Sequence, residues 1–168
     1  RLTDDLGRNF EWNGPPKRIV SLCPSQTELL YTLGLANQIV GRTKFCIHPY
    51  PAIFSTKRVG GTKEVDLQKI RDLNPDFILA EKEEQTMETV LELEKEFPVC
   101  VTKVESIADA LNMITNVGKW TATESLAHVW HNRIESAFDS IRKSEQGIRV
   151  AYRSEERRVG KECVVECR

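Results

Sequence analysis

Pro16-Lys-Arg-Ile-Val-Ser-Leu-Cys-Pro-Ser-Gln-Thr-Glu-Leu-Leu-Tyr-Thr-Leu-Gly34 is the stretch on which the fold turns. Its first part, Arg18-Ile-Val-Ser-Leu22, is β-branched and apolar over the length of a strand, and the stiff Pro15-Pro16 pair ends whatever precedes it. Its second part predicts a short helix. Ser25-Gln-Thr-Glu28 has the spacing of a capping box, and Leu29, Leu30 and Leu33 supply a buried stripe before Gly34. A strand running straight into a helix is the first half of a βαβ unit.

The same unit recurs downstream. Gln38 to Thr43 predicts a second strand, and a turn-rich connection with Pro49, Pro51, Gly60 and Gly61 leads to a helix at Asp66 to Leu73. Asp76-Phe-Ile-Leu-Ala80 is a third strand and Gln85 to Glu96 a helix with apolar Met87, Val90, Leu91 and Leu93. Val99-Cys-Val-Thr102 is a fourth strand, and Ser106 caps a helix to about Val117. This alternation predicts an α/β fold: a mostly parallel, Rossmann-like sheet with flanking helices. Thr121-Ala-Thr-Glu124 has capping-box spacing again, and helical periodicity runs on to Glu145, a helix of about 24 residues and ~36 Å. Ala127, Trp130, Ile134, Ala137 and Ile141, widened by Leu126 and Phe138, give it an apolar side built to be covered by protein.

The 168 residues, 40% hydrophobic and 29% charged, suit one globular domain. Lys and Arg total 24 against 25 Asp and Glu, so no overall positive field exists to hold a nucleic acid, and nucleic acid is not an expected partner. Apolar runs such as Phe77 to Ala80 fall far short of the roughly 20 residues that span a bilayer. The chain opens at Arg1 without a Met or a leader, which reads as a processed or cropped product.

From Arg153 the chain reads Arg-Ser-Glu-Glu-Arg-Arg-Val-Gly-Lys-Glu-Cys, which resembles the translation of a short-read sequencing adapter. Residues 153–168 are therefore expected to be non-native, and Arg149-Val-Ala-Tyr152 to be the start of a further strand that they interrupt. Setting the tail aside removes Cys163 and Cys167 and leaves Cys23, Cys46 and Cys100.

Several short motifs stand in a specific order: the turn at Asp5 to Arg8, Pro16 to Leu22, Pro24 to Leu30, Leu33-Gly-Leu35, Ile39-Val-Gly41, Val59-Gly-Gly61 and Leu73 to Ala80. Together they resemble the helical-backbone periplasmic substrate-binding proteins of ABC importers for cobalamin, siderophores and haem. The resemblance covers nearly all of residues 1–152. It implies two α/β lobes joined by one long rigid helix, with a metal chelate or corrinoid held between the lobes and delivered to a membrane permease, and no catalysis or resident cofactor. On that pattern residues 1–118 are the N-terminal ligand-binding lobe, 119–146 the backbone helix and 147–152 the start of a second lobe that this chain lacks. A periplasmic or extracytoplasmic location is implied likewise. Three unpaired thiols sit awkwardly with an oxidising compartment, and the sequence leaves the cytoplasm open. In the family the helix after the Gly-Gly segment commonly carries a Glu that docks on an Arg of the permease. The matching position here is Gln68, so docking would fall to neighbouring Glu64 or Asp66.

The residues themselves also place a site. In open α/β sheets ligands sit beyond the carboxyl ends of the strands. The loops there are Cys23 to Gln26, Lys44 to Tyr50, Glu81 to Gln85 and Lys103 to Glu105. Ser25 and Gln26 lie at a helix N-terminus, where free amides favour an anionic group. Lys44-Phe-Cys-Ile-His-Pro-Tyr50 gathers a cation, two aromatics, a thiol and an imidazole. Phe45 and Tyr50 can stack on a flat macrocycle, and His48 can ligate its metal or hydrogen-bond it. The alternative is that Phe45 and Cys46 pack inward while His48 caps a turn. Glu81 and Lys82 can reach a polar ligand, or Glu81 to Glu84 can be a solvated helix start. Cys46 and His48 provide too few donors for structural zinc. They are also the one nucleophile-base suggestion for the competing reading, a small α/β enzyme, against which stands the absence of nucleotide-loop, nucleophile-elbow and zinc-helix motifs.

Overall fold

The computed structural model describes residues 2–141, so the expectations for 142–152 and for the adapter-like tail fall outside the described residues. A parallel five-stranded sheet organises the chain. Its strands are β3 (Ile19–Ser21), β4 (Ile39–Arg42), β5 (Lys57–Arg58), β6 (Phe77–Glu81) and β7 (Val99–Thr102), in the spatial order β5-β4-β3-β6-β7. A hairpin of β1 (Leu2–Thr3) and β2 (Asn9–Phe10) precedes it.

The sheet is buried on both faces because its strand residues alternate between two cores. Ile19, Phe77 and Leu79 join Leu30 and Leu33 of α1 (Pro24–Thr32), Met113, Val117 and Trp120 of α4 (Ile107–Thr121) and Ala127 of α5 (Glu124–Asp139). Val20, Ile78 and Ala80 join Ile70 and Leu73 of α2 (Leu67–Leu73) and Val90 and Leu93 of α3 (Met87–Glu94). Cys100 of β7 joins the first core and Val99 and Val101 the second, and strands covered on both sides read as continuous apolar runs, which is why β3, β6 and β7 were visible in the sequence.

Helix boundaries needed correction. Pro24 takes the first helical position of α1 and Cys23 is its N-cap, with no side-chain cap bond, so Ser25 lies inside the first turn and the Ser25–Glu28 capping box does not form. Thr121 likewise caps nothing. It is the last residue of α4, Ala122 turns the chain in the left-handed region at φ 55°, and α5 starts at Glu124. The described helix is 16 residues long where about 24 were expected from Thr121. Asp66 and Ser106 cap as their residue types require, each accepting a backbone N–H from three residues on. α3 begins at Met87 rather than Gln85, because Thr86 is its cap and the Gln85 side chain is drawn into the sheet edge.

α4 and α5 pack closely where Gly118 meets Ala127. A Cβ on Gly118 would lie 2.4 Å from that of Ala127. Along α5 the cover then fades. Ala127 is buried and Trp130 and Ile134 are half-buried, but Leu126, Val129, Phe138 and Ile141 are exposed. Of the apolar side expected for this helix, its first half meets the core and the rest has no cover among the described residues.

Candidate functional site

Strand order defines where a ligand can sit. From β3 the chain moves outward on one side to β4 and β5, then returns to place β6 and β7 on the other, so the connections diverge between β3 and β6. That divergence opens a crevice at the carboxyl edge of the sheet.

Five loops line this edge, and specific bonds knit them together. Gln85, buried, donates from Nε2 to the carbonyls of Leu22 at 2.9 Å and Thr62 at 3.4 Å, while its Oε1 accepts from the Glu81 N–H at 2.7 Å. One amide thus ties the loops after β3, β5 and β6. Lys44 N–H donates to the Gly60 carbonyl at 2.7 Å, joining the loops after β4 and β5. Gly60 holds φ at +116°, and a Cβ there would lie 2.5 Å from the Glu64 carbonyl oxygen, so only glycine fits.

Arg42, the last residue of β4, shapes the aromatic loop. Its guanidinium is 1% exposed and donates from Nε to the Ile53 carbonyl at 3.0 Å and from Nη1 to those of Thr43 at 3.1 Å and Cys46 at 2.9 Å. No carboxylate lies within 4 Å of it among the described residues. Burial, with the nearby Arg58, lowers its affinity for a proton below the ordinary value. Loop 43–56 is therefore folded around a cation. No local pattern announces this, since an Arg at a strand end reads as exposed.

Around that anchor the expected site residues divide. Phe45 and Tyr50 are exposed at 52% and 75%, and Ile47 and Phe54 stand out beside them. Lys44 reaches over the Phe45 ring at 5.0 Å, and Tyr50 packs edge-on to Phe54 at 5.6 Å. Ser25, His48 and Lys82 are exposed at the same rim. Two expected contacts are corrected. Gln26 is buried, its amide donating to the Thr102 hydroxyl and, at 3.5 Å, to the Ala80 carbonyl, while its Oε1 has no partner among the described residues. The Glu81 carboxylate turns back to accept the N–H groups of Glu83 at 2.7 Å and Glu84 at 3.2 Å. Both shape the rim from beneath instead of facing a ligand. Lys82 pairs with Glu105 at 3.5 Å, and Lys103 with Glu105 at 2.8 Å.

The geometry gives the enzyme reading no support. Cys46 is buried, and its sulfur sits against the hydroxyls of Thr27 at 3.1 Å and Thr43 at 3.2 Å, whereas His48 is exposed. Burial raises the Cys23 and Cys100 thiols, which keeps them protonated and poorly nucleophilic. Among the described residues no three His, Cys, Asp or Glu gather to hold a metal ion.

On the docking segment, Asp66 is engaged as the α2 cap and pairs with Lys69 at 2.9 Å, and Gln68 donates to Asp72 at 2.9 Å. Glu64 is exposed, and its carboxylate makes no ion pair among the described residues. No helix of the described residues is long and apolar enough to cross a membrane.

Comparison with known proteins agrees with this architecture. The family model of the periplasmic binding proteins matches residues 19–155, and the chain belongs to that family. An uncharacterized ABC transporter substrate-binding lipoprotein of Bacillus subtilis is 28% identical over 139 residues, 79% of this chain and 43% of the relative. A vitamin B12-binding protein of Vibrio cholerae is 35% identical over 66 residues, 39% of this chain and 24% of the relative. Among solved structures, the petrobactin-binding protein of Bacillus subtilis superposes with a TM-score of 0.73 at 22% identity, over 82% of this chain and 50% of that one. A periplasmic heme-binding protein from Pseudomonas aeruginosa gives 0.69 at 20%, over 74% of this chain and 45% of that one. These structures share the fold. The chain spans about half their length, and less than half that of the curated relatives it matches.

Proposed function

We propose that this protein is the substrate-binding component of an ABC importer, capturing a cobalamin, ferric siderophore, haem or related metal chelate and handing it to a membrane permease from an extracytoplasmic compartment. The observation that carries the reading is the open carboxyl edge of the sheet in a chain of the periplasmic binding protein family. Five loops tied to one another form a preorganised half-site there, and its outward groups include the aromatics Phe45 and Tyr50 and four lysines. Preorganisation favours capture, since little loop entropy is lost when a rigid chelate lands.

In this reading Phe45 and Tyr50 stack on the flat part of the ligand, Ser25, Lys44 and Lys82 hydrogen-bond its polar groups, and His48 meets its metal or a peripheral acceptor. Gln26 and Glu81 position those loops. α5 is the start of the connecting spine, and the opposite wall of the cleft comes from a second lobe. Glu64 supplies the charge for permease docking, with Asp66 and Gln68 beside it.

Calorimetric titration with cyanocobalamin, haemin and ferric siderophores tests the proposal. Saturable binding of one of them, with the ligand recovered unchanged, is the expected result. Chemical conversion of the ligand, or no heat with any of the three classes, overturns it.

A further inference from the structure

We infer that the ligand bears an anionic group beside a planar ring, seated on Lys44 and Lys63 with the ring against Phe45. The inference rests on the capture reading above and names the ligand chemistry of that site.

Lysines occur on four successive loops of the rim: Lys44 after β4, Lys63 after β5, Lys82 after β6 and Lys103 after β7. The four are not equivalent. Lys103 pairs with Glu105 and Lys82 lies between Glu105 at 3.5 Å and Glu83 at 3.9 Å, so two carboxylates answer their charge within the protein. Lys44 and Lys63 are exposed and have no carboxylate within 4 Å among the described residues. Lys63 donates only to the Glu83 carbonyl, at 3.0 Å, and Lys44 rests on the Phe45 ring.

The backbone holds these two close. Lys44 N–H donates to the Gly60 carbonyl at 2.7 Å, and buried Gly61 lies under Lys44 and Phe45: a Cβ placed on it would lie 3.6 Å from Lys44 Cε and 3.7 Å from Phe45 Cε2, with Lys63 two residues later in the same loop. Behind the same loop stands the Arg42 guanidinium, a buried cation answered by carbonyl dipoles and the face of Phe54 at 5.5 Å and by no carboxylate within 4 Å among the described residues, whose field is weakly screened. The unpaired acids of the rim do not cancel this. Glu84 lies toward the β3 side, near enough to raise the Cys23 thiol, and Glu64 is, among the described residues, the one exposed carboxylate of this quarter, set against Lys44, Lys63 and Arg42. The β4–β5 quarter therefore carries a net positive field next to an exposed aromatic face. Such a pair selects a carboxylate, catecholate or phosphate attached to a ring.

The test compares chelates matched in shape and opposed in charge: haemin with its dimethyl ester, and a ferric tris-catecholate with a cationic ferric tris-hydroxamate, with cyanocobalamin as an uncharged reference. Affinities are measured by calorimetry at low and high salt for the protein, Lys44→Gln, Lys63→Gln and a control, Lys119→Gln, which lies on α4 away from the rim. The anionic member of a pair binding about tenfold tighter, with each rim substitution removing most of that preference and the control none, is the expected result. Equal binding within the pairs, preference for cyanocobalamin, or a preference unmoved by both substitutions overturns the inference while leaving capture intact. Binding of nothing in the panel contradicts the capture reading, and the inference falls with it. Unchanged thermal melting of the two exposed-lysine variants separates these outcomes from misfolding.

Discussion

Arg42 shows how one side chain can decide the shape of a binding loop. Its guanidinium satisfies three carbonyls from Thr43, Cys46 and Ile53 without exposing itself to water. Replacing it with Met would leave those acceptors unpaired, and the loss in urea denaturation should be about 3 kcal/mol. Arg42→Lys should recover little of it, because an ammonium lacks the planar fork that reaches several carbonyls. A variant within about 0.5 kcal/mol of the parent would mean that the loop does not depend on this cation. Asp5 makes a prediction about pH. Its carboxylate accepts the Asn116 side-chain amide at 2.8 Å and the Lys103 N–H at 3.3 Å, yet burial outweighs these bonds and raises its pKa. A carboxyl whose folded pKa is raised favours the native state below its unfolded value, and that contribution disappears as pH rises through the folded value. The parent should therefore gain stability relative to Asp5→Asn on going from pH 7 to about pH 3, as measured by paired denaturation curves. A gap that stays constant or shrinks on acidification would contradict this.

At the scale of elements, the contact between α4 and α5 gives a sharp expectation. Gly118→Ala would normally gain about 1 kcal/mol of helix propensity. Here the new methyl meets Ala127 Cβ at 2.4 Å, and Ala127 cannot yield unless the whole of α5 moves. Overpacking of about 1–3 kcal/mol should win, giving net destabilisation by thermal melting. A more stable variant would show that the two helices do not pack as described. How much of this was legible in the sequence follows from what each element is made of. β3, β6 and β7 were readable because strands buried on both faces need continuous apolar residues. β5 was not, since Lys57 and Arg58 are both exposed and only their pairing with Gly41 and Arg42 makes them a strand. The two capping boxes failed because a Pro at position 24 and a left-handed Ala122 moved the helix caps by two residues each, to Cys23 and Thr123. The edge rule names the loops at the carboxyl ends of the strands, and Lys44, Phe45, His48 and Tyr50 are exposed on one of them. Gln26 and Glu81 were misjudged for different reasons. Gln26 depends on Thr102, 76 positions away, and no local pattern encodes that meeting. Glu81 bonds amides two and three residues ahead, a local turn that its charge run obscured.

At the scale of the whole chain, the described residues form a five-stranded sheet with an open carboxyl edge and a helix, α5, that is only partly covered. That edge offers one wall of a cleft, and α5 leaves Leu126, Val129, Phe138 and Ile141 uncovered among the described residues. An apolar strip of this kind promotes association. The 168-residue chain should be polydisperse in sedimentation at tens of micromolar, with Val129→Glu and Phe138→Lys shifting it toward monomer. On the proposal that a second lobe supplies the opposite wall, the Kd of the 168-residue chain for a chelate should be micromolar or weaker, about −8 kcal/mol at best. A monodisperse monomer of submicromolar affinity would contradict the half-site account. The most direct test is amide chemical-shift mapping of the isotopically labelled chain, titrated with the diamagnetic chelates cyanocobalamin, zinc protoporphyrin and a gallium-loaded siderophore. The account predicts perturbations concentrated in residues 22–26, 43–50, 60–64, 81–86 and 103–106. Perturbations centred instead on the opposite edge of the sheet, around Trp12, Asp76 and Pro98, would contradict it.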